Sequence, residues 1–267
     1  MSKLNKEKHP YVYTFLVVLE KLVVVSVLAT LIRVVFTIPV ALTIGDVEIV
    51  NTVLKIISYS IVLIAYGYKH RKELPHFFEC KNVLFGFLLG WSEFVIDAFN
   101  VLMNHTFTQN VWVALINGLS PGLLEEVLFR IIPISFVMKN KDRERYMMPV
   151  LVWTSLAFGL IHGINILAGA DPFTTLLQVL YAMGAGFVFG AIYMRTGNFW
   201  ILILLHTMTD FFAYLKEGSL VLTQTIDLLS TMILIGYAII YFVNFFYIFR
   251  KEKRQEAIKA WKGMCEE

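Results

Sequence analysis

The stretch Phe173–Met194, FTTLLQVLYAMGAGFVFGAIYM, contains no acidic, basic or histidine side chain and lies between Asp171 and Arg195. A helix needs about 20 consecutive, mostly apolar residues to cross a bilayer, and this run supplies them. Comparable runs lie on either side, at 22–44, 51–68, 83–104, 112–138, 147–168, 199–215 and 222–248. The composition agrees: of 267 residues 58% are hydrophobic and 16% charged, with a mean hydropathy of +0.69, against roughly 45–50% apolar in soluble domains. The expectation is an all-α, polytopic membrane helix bundle of about eight transmembrane helices, forming a single integral-membrane domain over 1–267. Arg33 and Lys55 interrupt the first two spans, and residues 11–19 read as an interfacial helix leading into the first. No small-residue cleavage pattern follows the basic start, so the first span is expected to stay as an anchor. Cys80 and Cys265 suggest neither a disulfide framework nor a metal site.

Lysine and arginine in short connections concentrate on the cytoplasmic side. With the N-terminus inside, eighteen of them fall in inside segments, around 3–8, 69–81, 139–145, 195 and 250–262, and only Lys216 falls outside, beside Asp46, Glu48, Asp171 and Glu217. Both termini are therefore expected to be cytoplasmic. The net charge of +3 reflects this topology, with the basic tail 251–267 set against anionic lipid. It implies no nucleic-acid partner.

Charges at bilayer depth cost about 2.5–3.5 kcal/mol on insertion scales, so each asks for a partner or a purpose. The segment Ser120-Pro121-Gly122-Leu123-Leu124-Glu125-Glu126-Val127-Leu128-Phe129-Arg130 reads as a helix start, with Ser120 as cap and Pro121 at the first helical position. Adjacent glutamates diverge by about 100° on a helix, whereas residues four apart share a face. Glu126 therefore pairs with Arg130 as a structural unit and Glu125 faces a cavity as base or ligand; the reverse assignment, or one buried network of all three, is the competing reading. Farther on, Phe158, His162 and Asn165 bring a ring, an imidazole and an amide to one face. His206 and Asp210, also four apart, can reach one cavity or orient one another. Convergence of these spans would assemble a carboxylate–histidine site able to activate water. Glu93, Asp97 and Asp227 have no companion histidine and read as structural partners for Arg33 or Lys55.

Three motifs in this order resemble those of the CAAX protease and bacteriocin-processing (CPBP, or Abi) family of intramembrane peptidases. Glu125-Glu126-Val127-Leu128-Phe129-Arg130 resembles its Glu-Glu-x-x-x-Arg, Phe158 to His162 its Phe-x-x-x-His, and His206 to Asp210 its His-x-x-x-Asn/Asp. Gly186-x-x-x-Gly190 and the following Arg195-Thr196-Gly197-Asn198-Phe199-Trp200 add to the likeness. It covers roughly 121–212, making about 112–215 the catalytic half and leaving 1–111 and 216–250 as flanking helices. The resemblance implies an intramembrane endopeptidase in which Glu125 and His162 activate water while His206 and Asp210 stabilise the oxyanion. An ionised Asp210 suits that last role poorly, so three alternatives stand: a protonated Asp210, one that orients His206, or one that joins Glu125, His162 and His206 as ligands of zinc or another divalent metal. A metal-free glutamate mechanism is the counterpart. The substrate is expected to be a small peptide or a lipid-anchored tail, cleaved in the inner half of the membrane. The implied roles are peptide maturation, bacteriocin self-immunity or peptide signalling, and the compact chain resembles members of the bacterial plasma membrane. A non-catalytic scaffold or a proton-coupled transporter are the other readings. One tension is built in: on these spans His206 lies nearer the cytoplasmic edge than Glu125 or His162, yet a shared water or metal requires all three within about 10 Å.

Overall fold

The computed structural model describes residues 8–41, 47–74, 77–79, 81–103, 109–220, 223 and 225–266, which are mainly helical with no strand among them. In chain order the helices are α1 (Pro10–Ala41), α2 (Val47–Lys69), α3 (Val83–Leu89), α4 (Trp91–Met103), α5 (Val111–Glu126), α6 (Ile132–Met138), α7 (Arg143–Ile161), α8 (Pro172–Thr196), α9 (Phe199–Glu217), α10 (Leu228–Ile248) and α11 (Lys251–Glu266). A π-helical segment, Val127–Ile131, joins α5 to α6, and a 3-10 segment, His162–Ala168, extends α7.

Six of these helical runs are long and apolar enough to cross a membrane, and a seventh does so if α3 and α4, bent by 66°, are taken as one span. The chain is a multi-pass membrane helix bundle, with six or seven such spans among the described residues where the sequence suggested eight. The difference lies at 112–138, which is helical throughout but is divided by the π segment and carries Glu125, Glu126 and Arg130. Span 83–104 is broken at Gly90, the C-cap of α3, and 222–248 starts only at Leu228, after the cap residue Asp227. The interfacial helix expected at 11–19 is instead continuous with α1, because no proline or glycine interrupts the Val- and Leu-rich run before Pro39.

A second correction concerns Ser120 and Pro121. The helix begins nine residues before Ser120, at Val111, where the Asn110 side chain accepts hydrogen bonds from the backbone N–H groups of Trp112 and Val113. Pro121 lies inside it. Membrane helices accommodate such a proline when neighbouring helices hold them, and here α9 does. A β-carbon on Gly118 would lie 2.7 Å from the Phe211 nitrogen, and one on Gly122 2.9 Å from the Thr207 nitrogen. Glycines four apart thus let the α5 and α9 backbones meet in antiparallel register, the close approach that small residues permit in membranes. The next turn of α5 then sets Glu126 opposite His206.

The bundle has two chemically different ends. At one, Lys139 donates to Glu73 (3.0 Å), Asn198 to the Lys81 carbonyl (2.7 Å), and Trp261 of α11 to the Met194 carbonyl (2.7 Å). At the other, Thr225 donates to Asp171 (2.7 Å), and Gly218 abuts Gln109. The α8 start is capped there by Asp171 with Pro172 at the first helical position, and Gly197 (φ 65°) ends α8 at the opposite end.

Candidate active site

The α5–α9 register brings the first and third motifs together. His206 Nδ1 donates to Glu126 Oε1 at 2.8 Å, while its Nε2 lies 3.6 Å from Glu125 Oε2 and 3.4 Å from Asp210 Oδ2. Three carboxylates from two helices therefore surround one imidazole. The expected Glu126–Arg130 pair is present, with Arg130 Nη1 donating to Glu126 Oε1 at 3.0 Å, and both side chains are fully buried. Glu126 is consequently more than a partner for Arg130, since the same oxygen also holds His206.

The second motif supplies the wall behind this cluster. The Arg130 guanidinium stacks 3.5 Å from the centre of the Phe158 ring, a favourable cation–π placement in a desolvated setting. Phe158 meets His162 on one side (5.0 Å between ring centres) and His206 on another (5.7 Å). His162 Nδ1 lies 2.8 Å from the Phe158 carbonyl. A carbonyl only accepts, so Nδ1 carries a proton and donates it, and Nε2 is the nitrogen left for another partner. Asn165 donates to Gln178 Oε1 at 3.1 Å. Glycine again permits the approach: a β-carbon on Gly186 would lie 3.2 Å from Arg130 Nη2 and 3.0 Å from Ser155 Cα.

Glu125, His162, His206 and Asp210 all line one cavity of about 320 Å3, together with Asn165 and Gln178. The depth conflict between Glu125 and His206 is removed by their 3.6 Å approach. Val111–Met138 forms a 28-residue helical run, about 42 Å at 1.5 Å per residue, so Glu125 and Glu126 sit near its middle and within reach of the second turn of α9.

A further set of polar groups backs α9. Thr209 donates to one Glu93 oxygen and Tyr241 to the other (2.7 Å), and Asn244 donates to Ser92 (2.8 Å). Asp97 is also buried, beside Glu93 and the Thr209 hydroxyl. Glu93 is thus held by α9 and α10 rather than by Arg33 or Lys55, and Asp227 is an exposed helix cap that accepts from Ser230 N. The spacing of Glu93 and Asp97, one helical turn apart, was the available signal. Among the described residues no three His, Cys, Asp or Glu side chains are placed to hold a metal ion.

Residues 107–212 match the family described as Rce1-like, type II CAAX prenyl endopeptidase. All eight residues singled out from the motifs lie within the matched segment, and the resemblance read from them is borne out there. No curated protein and no solved structure gives a match.

Proposed function

We propose that the chain is an intramembrane endopeptidase that hydrolyses a peptide bond with water activated between Glu125 and His162. The observation that carries this reading is the ring of Glu125, Glu126 and Asp210 around His206, on the wall of a cavity that His162 also lines. A purely structural network would need Glu126 and Arg130 but would leave no reason for a cavity at Glu125.

In this mechanism the Glu125 carboxylate takes a proton from water held by His162 Nε2, and the resulting hydroxide attacks the scissile carbonyl carbon. The carbonyl oxygen becomes an oxyanion facing His206 Nε2. With Glu126 accepting from Nδ1 and two further carboxylates beside Nε2, His206 serves as an imidazolium that donates from both nitrogens. Collapse of the tetrahedral intermediate breaks the C–N bond, and Glu125 returns its proton to the leaving amine. General acid–base catalysis contributes about 10²–10⁴-fold, and a preorganised oxyanion donor about 10²–10³-fold. Asp210 orients and charge-balances His206. Its carboxylate lies against that ring, which supports orientation over direct donation.

The resemblance also implies a divalent metal, zinc by ligand type. A carboxylate on the far nitrogen of a histidine is the usual companion of a metal-bound imidazole, and Glu126 has that place. The donors are not arranged around a common point, however, and the steps above are assigned to side chains and water. A zinc-dependent version would use Glu125, His162, His206 and Asp210 as ligands.

The test is a comparison of peptides from membranes carrying wild type or Glu125→Gln in the bacterial plasma membrane. Loss of one processed product in the variant supports the proposal. Identical peptide populations with folded variant protein would sink it.

A further inference from the structure

The cavity is built asymmetrically along the bundle. From His206 it runs along α9 past Asp210 and Ala213 to Lys216 and Glu217, about 17 Å at 1.5 Å per residue, and on to Ser219 and Leu220. Lys216, Glu217 and Ser219 are exposed at that mouth. In the other direction it is closed. Below His206 toward the α9 start, Leu202, Phe199, Ile134, Ile192 and Met194 are each fully buried, packed around the hydrogen-bonded Ser135–Tyr193 pair.

The closed end carries the basic connections. Lys139–Arg145, Arg195 and Arg250–Lys262 lie there, whereas the open end carries Lys216 beside Asp171, Glu217 and Asp227, with Arg33 and Lys55 about two turns inside α1 and α2 on that side. Basic connections stay on the cytoplasmic side of a membrane, so the mouth of the cavity faces away from the cytoplasm.

We infer that substrate reaches the site from the extracytoplasmic face, and that it is an extended segment of an exported peptide rather than a tail presented at the cytoplasmic surface. This rests on the peptidase reading for its substrate class. The mouth chemistry suits such a guest. Asn165, Gln178, Lys216 and Glu217 offer donors and acceptors beside the Tyr181 and Tyr237 rings, and backbone groups drawn into a bilayer need such partners, at a cost of several kcal/mol each if left bare.

The experiment uses the full-length protein in intact cells, with both cysteines replaced (Cys80→Ser, Cys265→Ser) and single cysteines introduced at Ser219 in the mouth, Ala213 within the cavity, or Glu252 on α11. The probe is a membrane-impermeant, positively charged methanethiosulfonate. The expected result is reaction of Ser219→Cys and Ala213→Cys in intact cells, with at least tenfold slower reaction of Glu252→Cys until the membrane is permeabilised. The reverse pattern overturns the inference, as does reaction at Ser219→Cys with Ala213→Cys protected, or reaction of either only in denatured protein. Labelling needs no hydrolysis. An active Glu125→Gln variant would therefore remove the peptidase reading while leaving the direction of access standing, and a reversed labelling pattern would do the opposite.

Discussion

One oxygen of Glu126 accepts from both Arg130 (3.0 Å) and His206 (2.8 Å). This shared atom joins the packing of α5 to the orientation of the imidazole 80 residues later. Removing one partner of a fully buried ion pair leaves the other uncompensated, at about 3–5 kcal/mol, whereas replacing both by apolar groups of similar volume is often near neutral. Arg130→Ala should therefore lower the thermal midpoint in detergent strongly, and the double variant Glu126→Leu/Arg130→Met should recover much of it. The double variant should nevertheless stay inactive, because His206 has lost its anchor. Recovery of peptide hydrolysis together with stability would show that the Glu126–His206 contact is dispensable.

Glu125 should behave in the opposite way. It is only partly buried, lines the cavity and is not the oxygen that Arg130 holds. Glu125→Gln keeps the shape and should leave the melting temperature within about a degree or two while lowering turnover by at least 10²-fold, the lower end of what a general base supplies. His162→Ala should do likewise with a smaller loss. A Glu125→Gln protein that melts as early as Arg130→Ala would move Glu125 into the structural network.

These two contrasts also mark what the sequence could convey. The i, i+4 spacing made the Glu126–Arg130 and His206–Asp210 relationships legible, since one helical turn fixes them. It also made the multi-pass helical bundle legible, because hydrocarbon thickness sets the length of an apolar run. The link from Glu126 to His206 was not legible, because it depends on how two distant helices meet. Pro121 was read as a helix start on local preference, and tertiary packing against α9 overrode that preference. Gly118 and Gly122 carried the signal for that packing, in a spacing the motif analysis passed over in favour of Gly186 and Gly190. Likewise Glu93 was set aside for lack of a histidine, while its actual partners are the hydroxyls of Thr209 and Tyr241 on other helices.

The glycine contact gives a prediction of its own. A β-carbon at Gly122 would lie 2.5 Å from Thr207 Oγ1 and 2.9 Å from the Thr207 backbone nitrogen, so the helices must part. Overpacking of this kind costs about 1–3 kcal/mol. Gly122→Val should lower both thermal stability and activity, the latter because His206 moves away from the Glu125–Glu126 turn. In α10, Gly236 has open space at the same position, and Gly236→Ala should be neutral or slightly stabilising. Equal effects in the two variants, read by melting in detergent, would remove the α5–α9 approach as the cause.

Glu93 tests the support behind α9. Its two oxygens accept from Thr209 and Tyr241, and Thr209 lies between His206 and Asp210 on the helix. Glu93→Gln retains one acceptor and should keep most activity, whereas Glu93→Leu leaves the buried Tyr241 hydroxyl without its partner, at about 1–3 kcal/mol, and leaves Thr209 only the Leu205 carbonyl. Turnover should fall about tenfold in Glu93→Leu, and Thr209→Val should reproduce part of the fall. Identical activity in all three variants would make this cluster irrelevant to the site.

Asp210 separates the metal-free from the metal-dependent version of the chemistry. Its carboxylate lies 3.4 Å from His206 Nε2, and in the proposed metal-free mechanism it orients and charge-balances the ring. An asparagine there keeps an oxygen that can accept from the same nitrogen and adds an amide donor that an oxyanion can use. Asp210→Asn should therefore retain activity within about tenfold of wild type, since no charge-transfer step is lost. Were Asp210 a metal ligand, the same substitution would weaken binding of the ion, because a neutral amide is a poorer ligand for zinc than a carboxylate. Zinc content of the purified protein and hydrolysis before and after chelation and zinc restoration decide the matter. Loss of bound zinc together with activity in Asp210→Asn would assign the residue to the ion, and retained activity would assign it to His206.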